Sequence, residues 1–158
     1  MRELKVELTF VPVIGSICPW YFHRQLAKRS VETQHMSRIL IVEDNPSNMK
    51  LAVLILNSQG HVALQATTAR EGIELAGRER PDAILMDMQL PDMDGIEATR
   101  ILKSMPETAR IPVVAVTASA MKGDKERMLE ACDRYIEKPI DYKKLLHEIA
   151  DICGPAAS

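Results

Sequence analysis

Ala83-Ile84-Leu85-Met86-Asp87-Met88-Gln89-Leu90-Pro91 drives an unbroken apolar run into a carboxylate and then into a turn. The apolar residues after Pro81-Asp82 read as a short strand buried on both faces, as the strands of a parallel sheet flanked by helices are. Asp87 then stands at the strand's carboxyl end. In open α/β sheets ligands gather in the crevice beyond those ends, so an acid at that place is positioned for chemistry rather than for the core. Asp87 is therefore a candidate nucleophile.

The same pattern recurs on either side. Arg38 to Val42 is a buried-strand run that ends in Glu43-Asp44, and Asn45-Pro46 supplies a turn and a helix start with Pro near the first helical position. The spacing predicts a helix from Pro46 to about Gln59 with Met49, Ala52, Val53 and Leu56 on its inner face, closed by Gly60. His61 to Ala66 reads as a second strand. Thr68 can cap a helix over residues 69–80, with Ile73, Leu75 and Ala76 inward, before Pro81 stops it. Beyond Pro91-Asp92-Met93-Asp94-Gly95, residues 96–104 repeat at helical spacing through Ile96, Thr99, Ile101 and Leu102. Residues 112–117 form another buried strand, ending in the hydroxyl of Thr117, and residues 122–131 a polar helix. Arg134 to Glu137 is the last strand and delivers Lys138-Pro139. Asp141 caps a final helix through Leu145, Leu146, Ile149 and Ile152, which ends at Gly154-Pro155. Strand and helix alternate throughout, which predicts one doubly wound parallel sheet with right-handed crossovers.

Composition sets outer bounds. A chain of 158 residues with 46% hydrophobic and 27% charged residues has the make-up of one globular domain. Its net charge of −2 is no footprint for nucleic acid. Cys18, Cys132 and Cys153 have no CxxC spacing and leave an odd thiol, so neither a disulfide framework nor a zinc site is expected, and a reducing cytoplasm fits best. Residues 1–35 differ from the rest. They hold Trp20, Phe10 and Phe22, whereas the remainder has no Phe or Trp. Their apolar part, Leu8 to Phe22, is shorter than the roughly 20 residues of a membrane span, is broken by Pro12 and Pro19, and has no signal-peptide cleavage pattern. No stable membrane insertion is expected. Residues 1–35 are read as an extension, disordered or non-native upstream sequence, with natural translation from Met36; residues 36–154 form the domain, and 155–158 a short tail.

Parallel strands point their carboxyl ends to one edge, so Glu43-Asp44, Asp87, Thr117 and Lys138 meet there. Clustered carboxylates repel and raise each other's pKa unless a cation joins them, and an all-oxygen set with room for water suits Mg²⁺. Such a cluster is prepared for phosphoryl transfer, with Lys138 neutralising one phosphoryl oxygen and Thr117 donating to another. Each residue alone has a plainer reading: Asp87 a turn or cap acid, Lys138 a surface charge, Thr117 a strand residue, Glu43-Asp44 a solvated loop, Tyr135 core packing. Their conjunction at successive strand ends favours the site.

Ile39-Leu40-Ile41-Val42-Glu43-Asp44-Asn45, Met86 to Gly95, Val114-Ala115-Val116-Thr117-Ala118 and Tyr135-Ile136-Glu137-Lys138-Pro139-Ile140 resemble the receiver domain of two-component response regulators. The resemblance covers residues 37 to about 153. Asn45-Pro46-Ser47-Asn48-Met49-Lys50-Leu51 and Ala120-Met121-Lys122-Gly123-Asp124 are similar to the stand-alone regulators of the DivK type. The resemblance implies a flavodoxin-like (CheY-like) three-layer α/β sandwich with a parallel sheet of order 2-1-3-4-5. It further implies that Asp87 accepts phosphate from a sensor histidine kinase or histidine phosphotransfer protein. Glu43, Asp44, Asp87 and the backbone carbonyl of Gln89 would hold Mg²⁺; Thr117, the amide of Ala118 and Lys138 would contact the phosphoryl group. Thr117 and Tyr135 would form the switch, and the face of helix 122–131, strand 134–137 and helix 141–152 would meet a downstream protein. The acidic pair is Glu-Asp rather than the commoner Asp-Asp, within the family's range, and Gln89 and Ser119 occupy places that tune phosphate lifetime.

Rival readings fare less well. An aspartate-nucleophile phosphatase of the haloacid-dehalogenase type wants D-x-D, and Gln89 replaces the second acid. A flavin site lacks a phosphate loop after the first strand, and Glu43-Asp44 would repel the FMN phosphate. A calcium loop centred on Gly95 would put Leu90 and Ile101 at ligand positions. A phosphorylation-independent interaction module would be expected to have lost Asp87 or Lys138. A DNA-binding output is opposed by the few residues that follow Cys153.

Overall fold

The computed structural model describes residues 36–118 and 122–153, with residues 122–125 as backbone only. The expectations about residues 1–35, Ser119 and the tail lie outside the described residues. Among the described residues five strands and five helices alternate: β1 (Arg38–Val42), α1 (Pro46–Ser58), β2 (Val62–Ala66), α2 (Ala69–Glu79), β3 (Ala83–Asp87), α3 (Gly95–Ser104), β4 (Val113–Thr117), α4 (Lys122–Ala131), β5 (Arg134–Glu137) and α5 (Tyr142–Cys153). All strand pairs are parallel, in the order β2-β1-β3-β4-β5.

Apolar runs make the central strands, and their two-sided burial follows from the helices on both faces. Every residue of β3 and of β4 is buried. Alternate residues serve different layers. Leu40, Val42, Ile84, Met86 and Ala115 pack with Ala69 and Ala76 of α2, Ala98 and Leu102 of α3, and Met128 of α4. Ile39, Ile41, Leu85, Val114, Val116 and Ile136 face Met49, Ala52, Ile55 and Leu56 of α1 and Leu145 and Ile149 of α5. Each fully buried aliphatic side chain contributes about 1.5–3 kcal/mol, so these two cores dominate stability. The edge strands are less covered: only Ala66 of β2 and Ile136 of β5 are buried.

Local signals set the helix ends. The Asn45 side chain accepts from the amides of Ser47 and Asn48 to cap α1, and Gly60 takes a positive φ of 79° after it. Thr68 caps α2, which stops one residue earlier than its pattern suggests, because Arg80 turns left-handed at φ 46°. Asp94 caps α3, and this helix includes Gly95. On α1 the buried set includes Ile55, while Val53 is only half-buried; on α3 Ala98 lies inside and Ile101 is half-buried. Small residues take interior places on the helices. At Gly72, for example, a Cβ would come within 2.7 Å of a Val42 methyl.

Candidate functional site

β1 and β3 are neighbours with Val42 opposite Met86, so Glu43-Asp44 and Asp87 emerge side by side. β4 lies between β3 and β5, and the last strand therefore delivers Lys138 across the end of Thr117. The Lys138 backbone amide donates to the Thr117 carbonyl at 2.7 Å, which anchors the turn. From there Lys138 Nζ reaches Asp87 Oδ2 at 2.7 Å and Glu43 Oε2 at 2.8 Å. Both carboxylate side chains are only 4% exposed. Two nearly dry acids thus share one ammonium, and the remaining lone pairs need donors as well.

Those donors are present. Asp87 Oδ1 accepts from the Gln89 amide at 3.0 Å. Glu43 Oε1 accepts from the Asn45 amide and from Asn48 Nδ2, each at 3.2 Å. Among the described residues no buried side-chain nitrogen or oxygen lacks a partner. Burial pulls the Lys138 ammonium toward deprotonation, but its hydrogen bonds to Asp87 and Glu43 outweigh this and hold its pKa above the usual lysine value.

Asp44 is exposed and completes the acidic group: one carboxylate oxygen each from Glu43, Asp44 and Asp87 lie within 4.8 Å of one another. An all-carboxylate set without nitrogen or sulfur fits a small hard cation such as Mg²⁺. Thr117 is buried at the end of β4, with Ala118 exposed beside it. Tyr135 lies across from Ala115 on β5, half-buried, with Lys144 Nζ 5.3 Å from its ring centroid. The Gln89 side chain is exposed while its amide is used by Asp87.

The loop between β3 and α3 is drawn tight. Gly95 donates to the Met88 carbonyl at 3.2 Å, and Gln89 pairs with Asp94 in an isolated antiparallel bridge. Gly95 has to be glycine, since a Cβ would sit 2.3 Å from the Asp87 carbonyl oxygen. Three contributors were not assigned a role from sequence: Asn48, Asp92 and Gly95. Asn48 falls in the first turn of α1, directly after the acids, which is the available signal for it. Asp92 accepts from the amides of Ala69 and Arg70 at 2.9 and 3.0 Å, a reach along the chain that no local pattern announces.

A doubly wound sheet of this order, with an acid cluster and a lysine at its carboxyl edge, defines a receiver-type signalling module. The chain belongs to the response regulator receiver domain family, whose profile matches residues 39–150. It is 44% identical over 119 residues to the polar-differentiation response regulator DivK of Brucella anthropi, covering 75% of this chain and 97% of that protein. The DivK of Brucella ovis is 43% identical over the same length and coverage. Among solved structures, the receiver domain of the sensor histidine kinase PA1611 from Pseudomonas aeruginosa PAO1 superimposes with a TM-score of 0.71 at 36% identity. The match covers 75% of this chain and 98% of that one, whose structure holds a magnesium ion coordinated in its active-site cleft. The chemotaxis protein CheY4 of Vibrio cholerae, at 22% identity and a TM-score of 0.70 over 74% and 98% of the two chains, bears on the fold alone. Receiver domains of response regulators are signalling regulators that interact with histidine kinases and downstream targets. Among the described residues no helix is long and apolar enough to cross a membrane.

Proposed function

We propose that this chain is a phospho-accepting, DivK-type response regulator in which Asp87 takes a phosphoryl group from the phosphohistidine of a sensor histidine kinase or histidine phosphotransfer protein in the cytoplasm. The observation that carries the reading is the Asp87 carboxylate, buried and oriented on both oxygens by Lys138 and the Gln89 amide, beside two further acids. Glu43, Asp44, Asp87 and the Gln89 carbonyl would hold Mg²⁺. Bound there, the ion supplies charge neutralisation and alignment for in-line transfer.

This chain's own residues do the rest. An Asp87 oxygen forms the new P–O bond as the P–N bond to the donor imidazole breaks, and the imidazole leaves with the bonding electron pair and takes up a proton. Lys138 already lies against Asp87, so a small movement lets its ammonium meet a phosphoryl oxygen. Thr117 and the Ala118 amide serve two others. Proximity is the main contribution, because the acceptor is held and desolvated before the donor arrives. The domain catalyses its own phosphorylation and slow dephosphorylation and no other turnover.

The acyl phosphate would bias a two-state element, Thr117 with Tyr135, and thereby the face of helix 122–131, strand 134–137 and helix 141–152 that a downstream protein binds. Leu129 of α4 and Tyr142 of α5 are exposed apolar side chains, and Lys144 lies over the Tyr135 ring, which supports this route. Incubation with acetyl phosphate and Mg²⁺ tests the reading: intact-mass analysis should show one added phosphoryl group on the wild type and none on Asp87→Asn. Equal labelling of the two proteins defeats it.

A further inference from the structure

We propose that Asp92 is a positioning residue: by clamping the tip of the β3–α3 loop to the first turn of α2, it sets the Gln89 backbone for both the Asp87 carboxylate and Mg²⁺. The inference rests on the reading of Asp87 as phosphoacceptor and of the Gln89 carbonyl as a metal donor.

α2 carries its own N-cap, Thr68, whose Oγ1 accepts from the Glu71 amide at 3.2 Å. The two preceding amides, Ala69 and Arg70, are instead satisfied from a distance of more than twenty residues by the two oxygens of Asp92. A helix N-terminus favours such an anion through its exposed amides and dipole. Burial pushes the Asp92 carboxyl up, yet the amide hydrogen bonds outweigh it and hold the group below the usual carboxylate range. The charged form that makes both bonds is thus the one present at neutral pH.

The geometry of the loop turns this cap into a lever. The neck is closed by the Gly95-to-Met88 hydrogen bond and the Gln89–Asp94 bridge. Residues 90–93 form the tip beyond it, and Asp92 ties that tip to α2, an element that itself packs on β1 through the Gly72–Val42 approach. Gln89 lies inside the neck, its amide on Asp87 Oδ1. Its carbonyl lies where the neck joins the tip, so a displacement of residues 90–93 is passed to the Gln89 peptide and moves both groups. Outer-shell groups bonded directly to a ligand typically change metal affinity by about 10–100-fold when removed, and a clamp that acts through the intervening backbone takes the low end of that range.

The test compares three full-length variants by Mg²⁺ titration calorimetry and by amide hydrogen exchange without metal. Asp92→Ala should weaken Mg²⁺ binding by about tenfold and speed exchange at Gln89 as well as at Ala69 and Arg70. Asp92→Asn, which keeps one oxygen acceptor, should recover part of the affinity. Thr68→Ala removes a cap from the same helix without touching the loop, and should leave Mg²⁺ affinity and Gln89 exchange unchanged. Wild-type affinity in Asp92→Ala, or an equal loss in Thr68→Ala, overturns the clamp. A wild type that takes up no Mg²⁺ instead removes the underlying metal reading, so the two failures are distinguishable.

Discussion

Lys138→Met removes a charge while keeping an unbranched apolar stem of similar size. In the folded protein it leaves Glu43 and Asp87, both only 4% exposed, without the ammonium that bridges them at 2.8 and 2.7 Å. Breaking a buried ion pair by deleting one partner costs about 3–5 kcal/mol, because an uncompensated charge stays inside. Lys138 itself is 19% exposed, so water relieves part of this and the low end applies: about 3 kcal/mol in metal-free protein. With a urea slope of about 1–3 kcal/mol/M, the unfolding midpoint should fall by roughly 1–3 M in EDTA. Saturating Mg²⁺ should narrow the gap, since a cation that binds only the native state stabilises it by mass action and the freed carboxylates bind it more tightly. The folded Lys138 pKa lies above its unfolded value, so its contribution is fully present below about pH 10 and is lost as pH rises through the folded value. The gap should therefore hold from neutrality upward and close only in strong alkali. A Lys138→Met protein within about 1 kcal/mol of wild type in EDTA would refute the idea that these buried acids depend on the ammonium for their compensation.

Three further substitutions probe other links. Gly77 lies within α2 with nothing within 4 Å of an added Cβ, so Gly77→Ala should stabilise by about 0.5–1 kcal/mol, read as a higher thermal midpoint; a lower midpoint contradicts that open space. Gly95→Ala should cost about 3 kcal/mol and abolish labelling by acetyl phosphate, because its Cβ would strike the Asp87 carbonyl and the Met88 backbone; ordinary stability would show that the loop relaxes freely. For Asp133, burial pushes the carboxyl up, but Lys103 and the Val113 amide outweigh it and hold it low. Its contribution is present above the ordinary Asp range and lost as pH falls through the folded value, so the stability gap to Asp133→Asn should shrink on acidification. A gap unchanged down to about pH 2 would contradict the assignment.

The strands were legible because doubly covered parallel strands must be apolar without interruption, and the acids and lysine were legible because they end those runs. Pairing order was a different matter: alternation implies a parallel sheet, while the order 2-1-3-4-5 came from the resemblance of whole motifs. Helix faces were read less well. Periodicity favours bulky residues, yet Ala98 and Gly72 take interior places where helix and strand approach closely, and Ile55 rather than Val53 is fully buried on α1. Interactions that join distant segments left little trace. The bonds from Ala69 and Arg70 to Asp92 depend on how the loops fold over the sheet edge, and polar residues in turns look alike until that geometry is known. The convergence of Lys138, Glu43, Asp87 and Gln89 was foreseeable as a cluster, but its pairing of one ammonium with two carboxylates was not.

Phosphate acceptance by Asp87 is tested most directly by chemical mapping. Protein treated with acetyl phosphate and Mg²⁺ is reduced with borohydride, which converts an aspartyl phosphate to homoserine, and the peptides spanning residues 38–50 and 81–100 are sequenced by mass spectrometry. The expected product is homoserine at position 87, dependent on Mg²⁺; homoserine at Asp44, Asp92 or Asp94 instead, or none at position 87, would contradict it.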